Sequence, residues 1–149
     1  MSDLLTQAEY HAIAASLTPT GMSFVDGGYR PAASGATFAT VNPATGAVIA
    51  DIADCDSADV AFAVAKARES FDDGRWRGLH PAERKAVLIQ LAKLVKRDRR
   101  ELAVLESLDS GKPIADCERI DIPELINTLI WHAEAVDKLY DQTAPTGPD

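Results

Sequence analysis

The chain has 149 residues, which is enough for one domain that buries roughly two thirds of the surface of its unfolded chain. Its 46% hydrophobic and 26% charged residues are typical of a globular protein, and its net charge of −8 argues against nucleic acid or an anionic membrane as the main partner. No apolar run approaches the roughly 18 residues of a membrane span, and no basic segment precedes an apolar core as in a signal peptide. The two cysteines are far apart and are expected to be reduced thiols of a cytoplasmic protein.

The chain begins with a short predicted helix. Thr6 is positioned to cap this helix, which is expected to end at Pro19 and Gly21. One face of the helix carries the apolar residues Tyr10, Ile13, Ala14 and Leu17.

Short strands and tight turns follow. Strands are predicted at Met22–Val25, Thr37–Val41 and Val48–Ile52, where β-branched and aromatic residues are frequent. Asp26–Gly28 supplies residues that tolerate positive φ in a tight turn, and Asn42–Gly46 places proline and glycine where a turn uses them. This region therefore predicts a small antiparallel β unit.

From Asp54 onward the apolar residues recur with helical spacing. Asp56 or Ser57 is positioned to cap a helix that Gly74 ends. The stripe of this helix that we expect to be buried comprises Val60, Val64, Ala67 and Phe71.

Two further helices are predicted before Gly111. Pro81 suits the first turn of one, and Asp98 with Glu101 matches a capping box that would restart the helix. Gly111 then ends it, because glycine readily adopts the positive φ of a helix end. The faces expected to be buried comprise Val87, Leu88, Leu91, Leu94 and Val95, followed by Leu102, Leu105 and Leu108.

The last helical run carries a continuous apolar face. Residues spaced alternately four and three apart share that face, namely Ile122, Ile126, Leu129, Ala133, Val136 and Tyr140. The sequence thus predicts a mainly α protein with a small N-terminal antiparallel β unit. Its expected organisation is an N-terminal helix over residues 1–20, the β unit over 21–53, a helical segment over 54–142 and a tail over 143–149.

The sequence contains no convincing pattern for a catalytic or phosphate-binding site. Ser110–Pro113 lacks the first glycine and the final Ser or Thr of a phosphate loop, so it is interpreted as a helix end. The three histidines share no metal-ligand spacing with one another or with the cysteines. Acidic neighbours oppose thiolate formation at Cys55 and at Cys117. We predict no catalytic and no cofactor-binding residue within these 149 residues.

Four short motifs follow one another along the chain, namely Phe24–Tyr29 (FVDGGY), Thr40–Gly46 (TVNPATG), Leu108–Pro113 (LDSGKP) and Ala133–Lys138 (AEAVDK). With Trp76 and Arg84, their order and spacing resemble the amino-terminal third of an NAD(P)-dependent aldehyde dehydrogenase. Asp121–Pro123 followed by Trp131–Tyr140 is most similar to the gamma-glutamyl-gamma-aminobutyraldehyde dehydrogenases of polyamine catabolism. The resemblance covers the chain from about Phe24 onward.

The resemblance implies the N-terminal part of the α/β aldehyde dehydrogenase fold. In that family the complete enzyme forms a thiohemiacetal, transfers hydride to NAD+ or NADP+ and hydrolyses the resulting thioester. Its Gly-x-Thr-x-x-Gly cofactor loop and Gly-Gln-x-Cys nucleophile follow this segment, and neither pattern occurs in these 149 residues. We therefore expect a truncated or fragmentary chain that is inactive alone and binds no nicotinamide cofactor. The last helix is expected to approach the substrate tunnel.

The resemblance also implies a structural Na+ or K+ ion. The matching positions are Thr40 and Val41, through their backbone carbonyls, and the carboxylate of Asp121. The expected partner is the remainder of the enzyme or a second copy of the chain, with no nucleic acid and no membrane. A non-catalytic helical module that binds a partner chain remains the alternative.

Overall fold

The computed structural model describes residues 4–138, so the predicted Tyr140 and the tail over 143–149 lie outside the described residues. It is helix-rich, with two small antiparallel sheets. In chain order its elements are α1 (Gln7–Ser16), β1 (Ser23–Val25), β2 (Gly28–Arg30), β3 (Thr37–Val41), β4 (Val48–Ala53), α2 (Ser57–Asp72), α3 (Pro81–Arg97), α4 (Arg99–Ser110), α5 (Ile114–Asp116), a π-helical turn (Cys117–Asp121) and α6 (Ile122–Ala135). Across residues 4–138, every helix is too short or too polar to cross a bilayer.

The strands pair as two separate hairpins. β1 pairs with β2, and β3 pairs with β4 from Thr37 opposite Ala53 to Val41 opposite Val48, with an irregularity after Thr40. The β1–β2 turn has positive φ at both Asp26 (56°) and the following glycine (76°), as in the tight hairpin turns that match strand twist. The three predicted strands and the two turns are therefore confirmed, whereas β2, which pairs with β1, was not predicted.

Gly21 has a different role from the predicted one. α1 already ends at Ser16, whereas the Gly21 carbonyl accepts a hydrogen bond from the Ala53 N–H at 2.6 Å. A Cβ at Gly21 would lie 1.7 Å from the carbonyl oxygen of Asp51. This close approach to β4 is open only to glycine.

The predicted N-terminal caps of α1 and α2 are confirmed. The Thr6 hydroxyl accepts the N–H of Glu9 at 3.3 Å, and the Glu9 carboxylate accepts the N–H of Thr6 at 2.7 Å. Of the two candidates for α2, Asp56 and not Ser57 is the cap, because its carboxylate accepts the N–H groups of Ala58 and of the residue after it. A cap is fixed by residues close in sequence, which is why it was predictable.

The predicted capping box at Asp98 and Glu101 was wrong. Asp98 ends α3, and its carboxylate accepts two hydrogen bonds from the Arg97 guanidinium, each at 2.7 Å. An adjacent arginine therefore takes the carboxylate that the box would have used.

The predicted buried face of α3 was only partly correct. Ala92 is the buried residue of α3, and Leu88 and Val95 are half-buried beside it on the same face. The neighbouring stripe of Val87, Leu91 and Leu94 is exposed. The predicted α2 stripe is exposed as well, with Val60, Val64 and Phe71 showing 57%, 62% and 52% of their surface.

The π-helical turn was not predicted. It contains Cys117–Asp121 and joins α5 to α6, whose second residue is Pro123. Proline has no N–H to give to the carbonyl four residues earlier, and its ring clashes with that carbonyl in a regular helix. A widened turn immediately before Pro123 accommodates both features.

The described chain forms two compact units. One contains α1 as far as Ala15, then Gly78–Ser107, then the chain from Lys112; the other contains Ser16–Arg77 and Leu108–Gly111. In the first unit α3 packs on α6, and its core is built from Ala103, Cys117 and Ile122. In α6 the predicted apolar face is buried at Ile122 and Ala133 and half-buried at Ile126, Leu129 and Val136.

Candidate functional site

The two cysteines lie in different surroundings. Cys55 is exposed just before α2, whereas Cys117 is fully buried in the π-helical turn. Burial raises the pKa of the Cys117 thiol, and the charges of Asp121 and Glu106 raise it further. A buried thiol that stays protonated is a poor nucleophile.

His80 and His132 both have structural neighbours. His80 caps α3, its Nδ1 accepting the Ala82 N–H at 3.2 Å. His132 is exposed on α6, where its ring meets the edge of Trp131 at a centroid distance of 4.9 Å. Within residues 4–138, no three His, Cys, Asp or Glu side chains gather into a metal-binding group.

The residues predicted to bind a monovalent cation belong to different units. Thr40 and Val41 lie on β3, and the Thr40 hydroxyl donates to the carboxylate of Asp109 at 2.9 Å. Asp121 ends the π-helical turn, and its carboxylate accepts a hydrogen bond from Lys112 Nζ at 2.7 Å. That bond raises the pKa of Lys112, so the ammonium stays charged beside Asp121.

The contact between Asp109 and Thr40 was not predicted from the sequence. The sequence gives no local sign of which residue Asp109 contacts, because its partner Thr40 is 69 residues away. One signal was available: a carboxylate in the last turn of a helix faces the negative end of the helix dipole. An aspartate in that position needs another partner, and here the Thr40 hydroxyl supplies it.

A groove runs beside α6 within the first unit, and we call it the α6 groove. It consists of two depressions, of about 350 and 530 Å³, that share Glu124 and Thr128. The smaller depression is lined by Glu124, Asn127, Thr128, Trp131 and His132. The larger is lined by Leu102, Glu106, Lys112, Asp121, Ile122, Glu124, Leu125 and Thr128.

The α6 groove is acidic and partly aromatic. Three carboxylates line it, from Glu106, Asp121 and Glu124, against the single ammonium of Lys112. Lys112 is paired with Asp121, whereas Glu124 is exposed and forms no ion pair with the residues of the described segment. Trp131 shows 67% of its surface. A carboxylate and an indole face both attract organic cations, so the groove can bind an ammonium group.

Comparison with known proteins gives a consistent result over nearly the whole chain. The sequence pattern described as the aldehyde dehydrogenase family matches residues 29–149. The aminoacetaldehyde dehydrogenase of Pseudomonas aeruginosa is 58% identical over 147 residues, which is 99% of this chain and 30% of that protein. The chain thus spans about a third or less of the length of the curated relatives it matches.

Solved structures give the same picture. The gamma-glutamyl-gamma-aminobutyraldehyde dehydrogenase of Burkholderia cenocepacia superposes with a TM-score of 0.91 at 47% identity, covering 96% of this chain and 29% of that one. A mutant of the indole-3-acetaldehyde dehydrogenase of P. syringae, solved with NAD+, also gives 0.91, at 46% identity over 96% of this chain and 29% of that one.

Proposed function

Because the chain belongs to the aldehyde dehydrogenase family, we propose that it forms the amino-terminal part of an enzyme that oxidises an aminoaldehyde to a carboxylic acid with NAD+ or NADP+. The observation that carries this proposal is the 58% identity with an aminoacetaldehyde dehydrogenase over 147 residues. The similarity to a gamma-glutamyl-gamma-aminobutyraldehyde dehydrogenase supports a role in polyamine catabolism in the cytoplasm. The 149 residues supply scaffold, and alone they are expected to oxidise no aldehyde.

The α6 groove is the part of this chain that we assign to substrate selection. An aminoaldehyde carries an ammonium group at one end and the reacting carbonyl at the other. Glu124 offers a carboxylate that no cation occupies within the described segment, and Trp131 lies on the same groove. Asp121 is a poorer candidate, because Lys112 already neutralises it. We therefore assign the ammonium end of the substrate to Glu124 and Trp131.

A graft tests the proposal. The matching segment of the aminoacetaldehyde dehydrogenase of P. aeruginosa is replaced by this chain, and reduction of NAD+ is followed with aminoacetaldehyde. The graft should be active, and Ala103→Asp should abolish its activity, because it places a charge at a site with 0% exposure. A graft that folds and assembles but oxidises no aldehyde would contradict the proposal.

The same graft tests the role of Glu124. Glu124→Gln should raise KM for aminoacetaldehyde roughly two- to fivefold, the effect of losing one exposed charge contact. KM for an uncharged aldehyde of similar length should stay the same. Glu101→Gln makes the same change on the exposed face of α4 and should affect neither substrate. Equal increases in KM for both aldehydes would show that Glu124 does not recognise the ammonium group.

A second candidate function follows from the exposed apolar stripe of α2. A stand-alone helical module could use that stripe to bind a partner chain without any catalysis. A 149-residue protein that folds cooperatively, stays monodisperse, captures one specific partner and fails in the graft would favour this function.

A further inference from the structure

Helix α1 has one buried side chain, which connects it to the rest of its unit. Tyr10 is the buried residue of α1, at 7% exposure, and most of the other residues in the helix are exposed. A helix of 10 residues is marginal by itself in water, so its order depends on the contacts that hold it down.

The Tyr10 hydroxyl reaches a buried ion pair. Arg100 Nη1 on α4 lies 2.6 Å from Glu118 Oε1 in the π-helical turn, and the Glu118 side chain is 1% exposed. The hydroxyl lies 3.2 Å from each of these two atoms, donating to Glu118 and accepting from Arg100. It also accepts the N–H of Leu5 at 3.3 Å.

These contacts use the full hydrogen-bonding capacity of a tyrosine. A phenol has one O–H donor and accepts at two lone-pair positions, and here all three are engaged. Burial lowers the pKa of the Arg100 guanidinium, but the hydrogen bond and the charge of Glu118 raise it by more, so the guanidinium stays charged. One neutral oxygen thus bridges the start of the chain to two opposite charges.

The chemistry of this contact favours a reversible opening. Burying two charges costs solvation, which the ion pair only partly offsets. When α1 lifts away, Glu118 and Arg100 regain water, so the lost hydrogen bonds are partly replaced. An apolar anchor of the same area would gain nothing comparable from water.

We propose that α1 is a strap that opens locally without unfolding the rest of its unit, and that the Tyr10 hydroxyl on the Arg100–Glu118 pair holds it closed. In the open state the pair becomes a solvated, charged surface between α4 and the π-helical turn. The proposal is independent of the enzymatic function proposed above.

Hydrogen–deuterium exchange of the intact protein, read by mass spectrometry, tests the strap. Tyr10→Phe keeps the ring and removes the hydroxyl. Exchange of amides in 7–16 should accelerate about tenfold or more, the ratio expected for losing a hydrogen bond to a charged group. Amides of α4 and α6 should exchange at their original rates. Tyr29→Phe makes the same change at an exposed tyrosine and should leave α1 unaffected.

A second variant tests whether the bonds act as one unit. Glu118→Gln should also accelerate exchange in α1, and adding Tyr10→Phe to it should produce less than the product of the two separate effects. If Glu118→Gln fails to fold, the two tyrosine variants decide. Unchanged exchange in α1 with Tyr10→Phe would overturn the proposal, and so would an equal acceleration in α1, α4 and α6, because the triad would then be part of the global core.

Discussion

Asp109 and Asp121 carry the same side chain but meet different partners. Asp109 accepts a hydrogen bond from the Thr40 hydroxyl, whereas Asp121 accepts one from the Lys112 ammonium. A neutral hydroxyl leaves the charge of Asp109 available to a cation, and an ammonium at 2.7 Å largely cancels that of Asp121. If a monovalent cation binds the carbonyls of Thr40 and Val41, we therefore expect Asp109, rather than the predicted Asp121, to supply the carboxylate.

Substitution of each aspartate tests this cation site. We expect Asp109→Asn to abolish the difference in Tm between potassium chloride and the chloride of a bulky organic cation. Asp121→Asn removes the ion pair with Lys112. It should lower Tm by the same amount in both salts, because the partner of Asp121 is a lysine of the protein and not a dissolved cation. Thermal unfolding followed by circular dichroism provides the measurement. A loss of the potassium effect in Asp121→Asn alone would restore the original assignment.

Some contacts between residues close in sequence were predictable here, whereas contacts between distant residues were not. The caps at Thr6 and Asp56 were predictable, because each is formed within three residues. Glu118, by contrast, is a charged residue that is buried. Its partners Tyr10 and Arg100 are 108 and 18 residues away, and no local pattern announces them. The pairing of polar residues that are far apart along the chain cannot be predicted from a single sequence.

At the scale of elements, α2 offers a direct test of one capping assignment. Asp56→Ala removes the acceptor for two N–H groups of the first turn and should lower the free energy of unfolding by about 0.5–2 kcal/mol. Ser57→Ala replaces the first residue of the helix and should change it by less than about 0.5 kcal/mol. Chemical denaturation of both variants measures the difference. Similar losses in the two would indicate that the serine shares the capping role.

The elements themselves were largely predictable, and their burial was not. Turn chemistry located the hairpins, and helix-end residues located α2, α3 and α4. In α3 the prediction was correct for Leu88 and Val95, which are half-buried, but it included the exposed Val87, Leu91 and Leu94 and omitted the buried Ala92. Small alanines carry much of the burial here, and they contribute little to a pattern read from large side chains. The α6 groove was likewise invisible, because its carboxylates come from separate segments.

At the scale of the whole molecule, the apolar stripe of α2 is a hydrophobic surface that the described chain leaves exposed. Val60, Val64 and Phe71 each expose more than half of their surface. Burying a large apolar side chain contributes ~1.5–3 kcal/mol, so this stripe represents several kcal/mol that folding of the described chain does not recover. The relatives are more than three times as long as this chain, which is consistent with such a surface being covered in a larger protein. In isolation it should promote association.

A matched pair of valine substitutions tests this expectation in the 149-residue chain. Val64→Lys places a charge on a side chain that is 62% exposed and should reduce hydrophobic-dye binding and self-association, with the free energy of unfolding changed by less than about 0.5 kcal/mol. Val104→Lys places the same charge at 3% exposure and should destabilise the chain by about 3 kcal/mol or more. Sedimentation and dye titration measure association, and denaturation measures stability. If the unsubstituted chain sediments as a clean monomer with negligible dye binding, the α2 stripe is not an association surface, and the independent module becomes the better description.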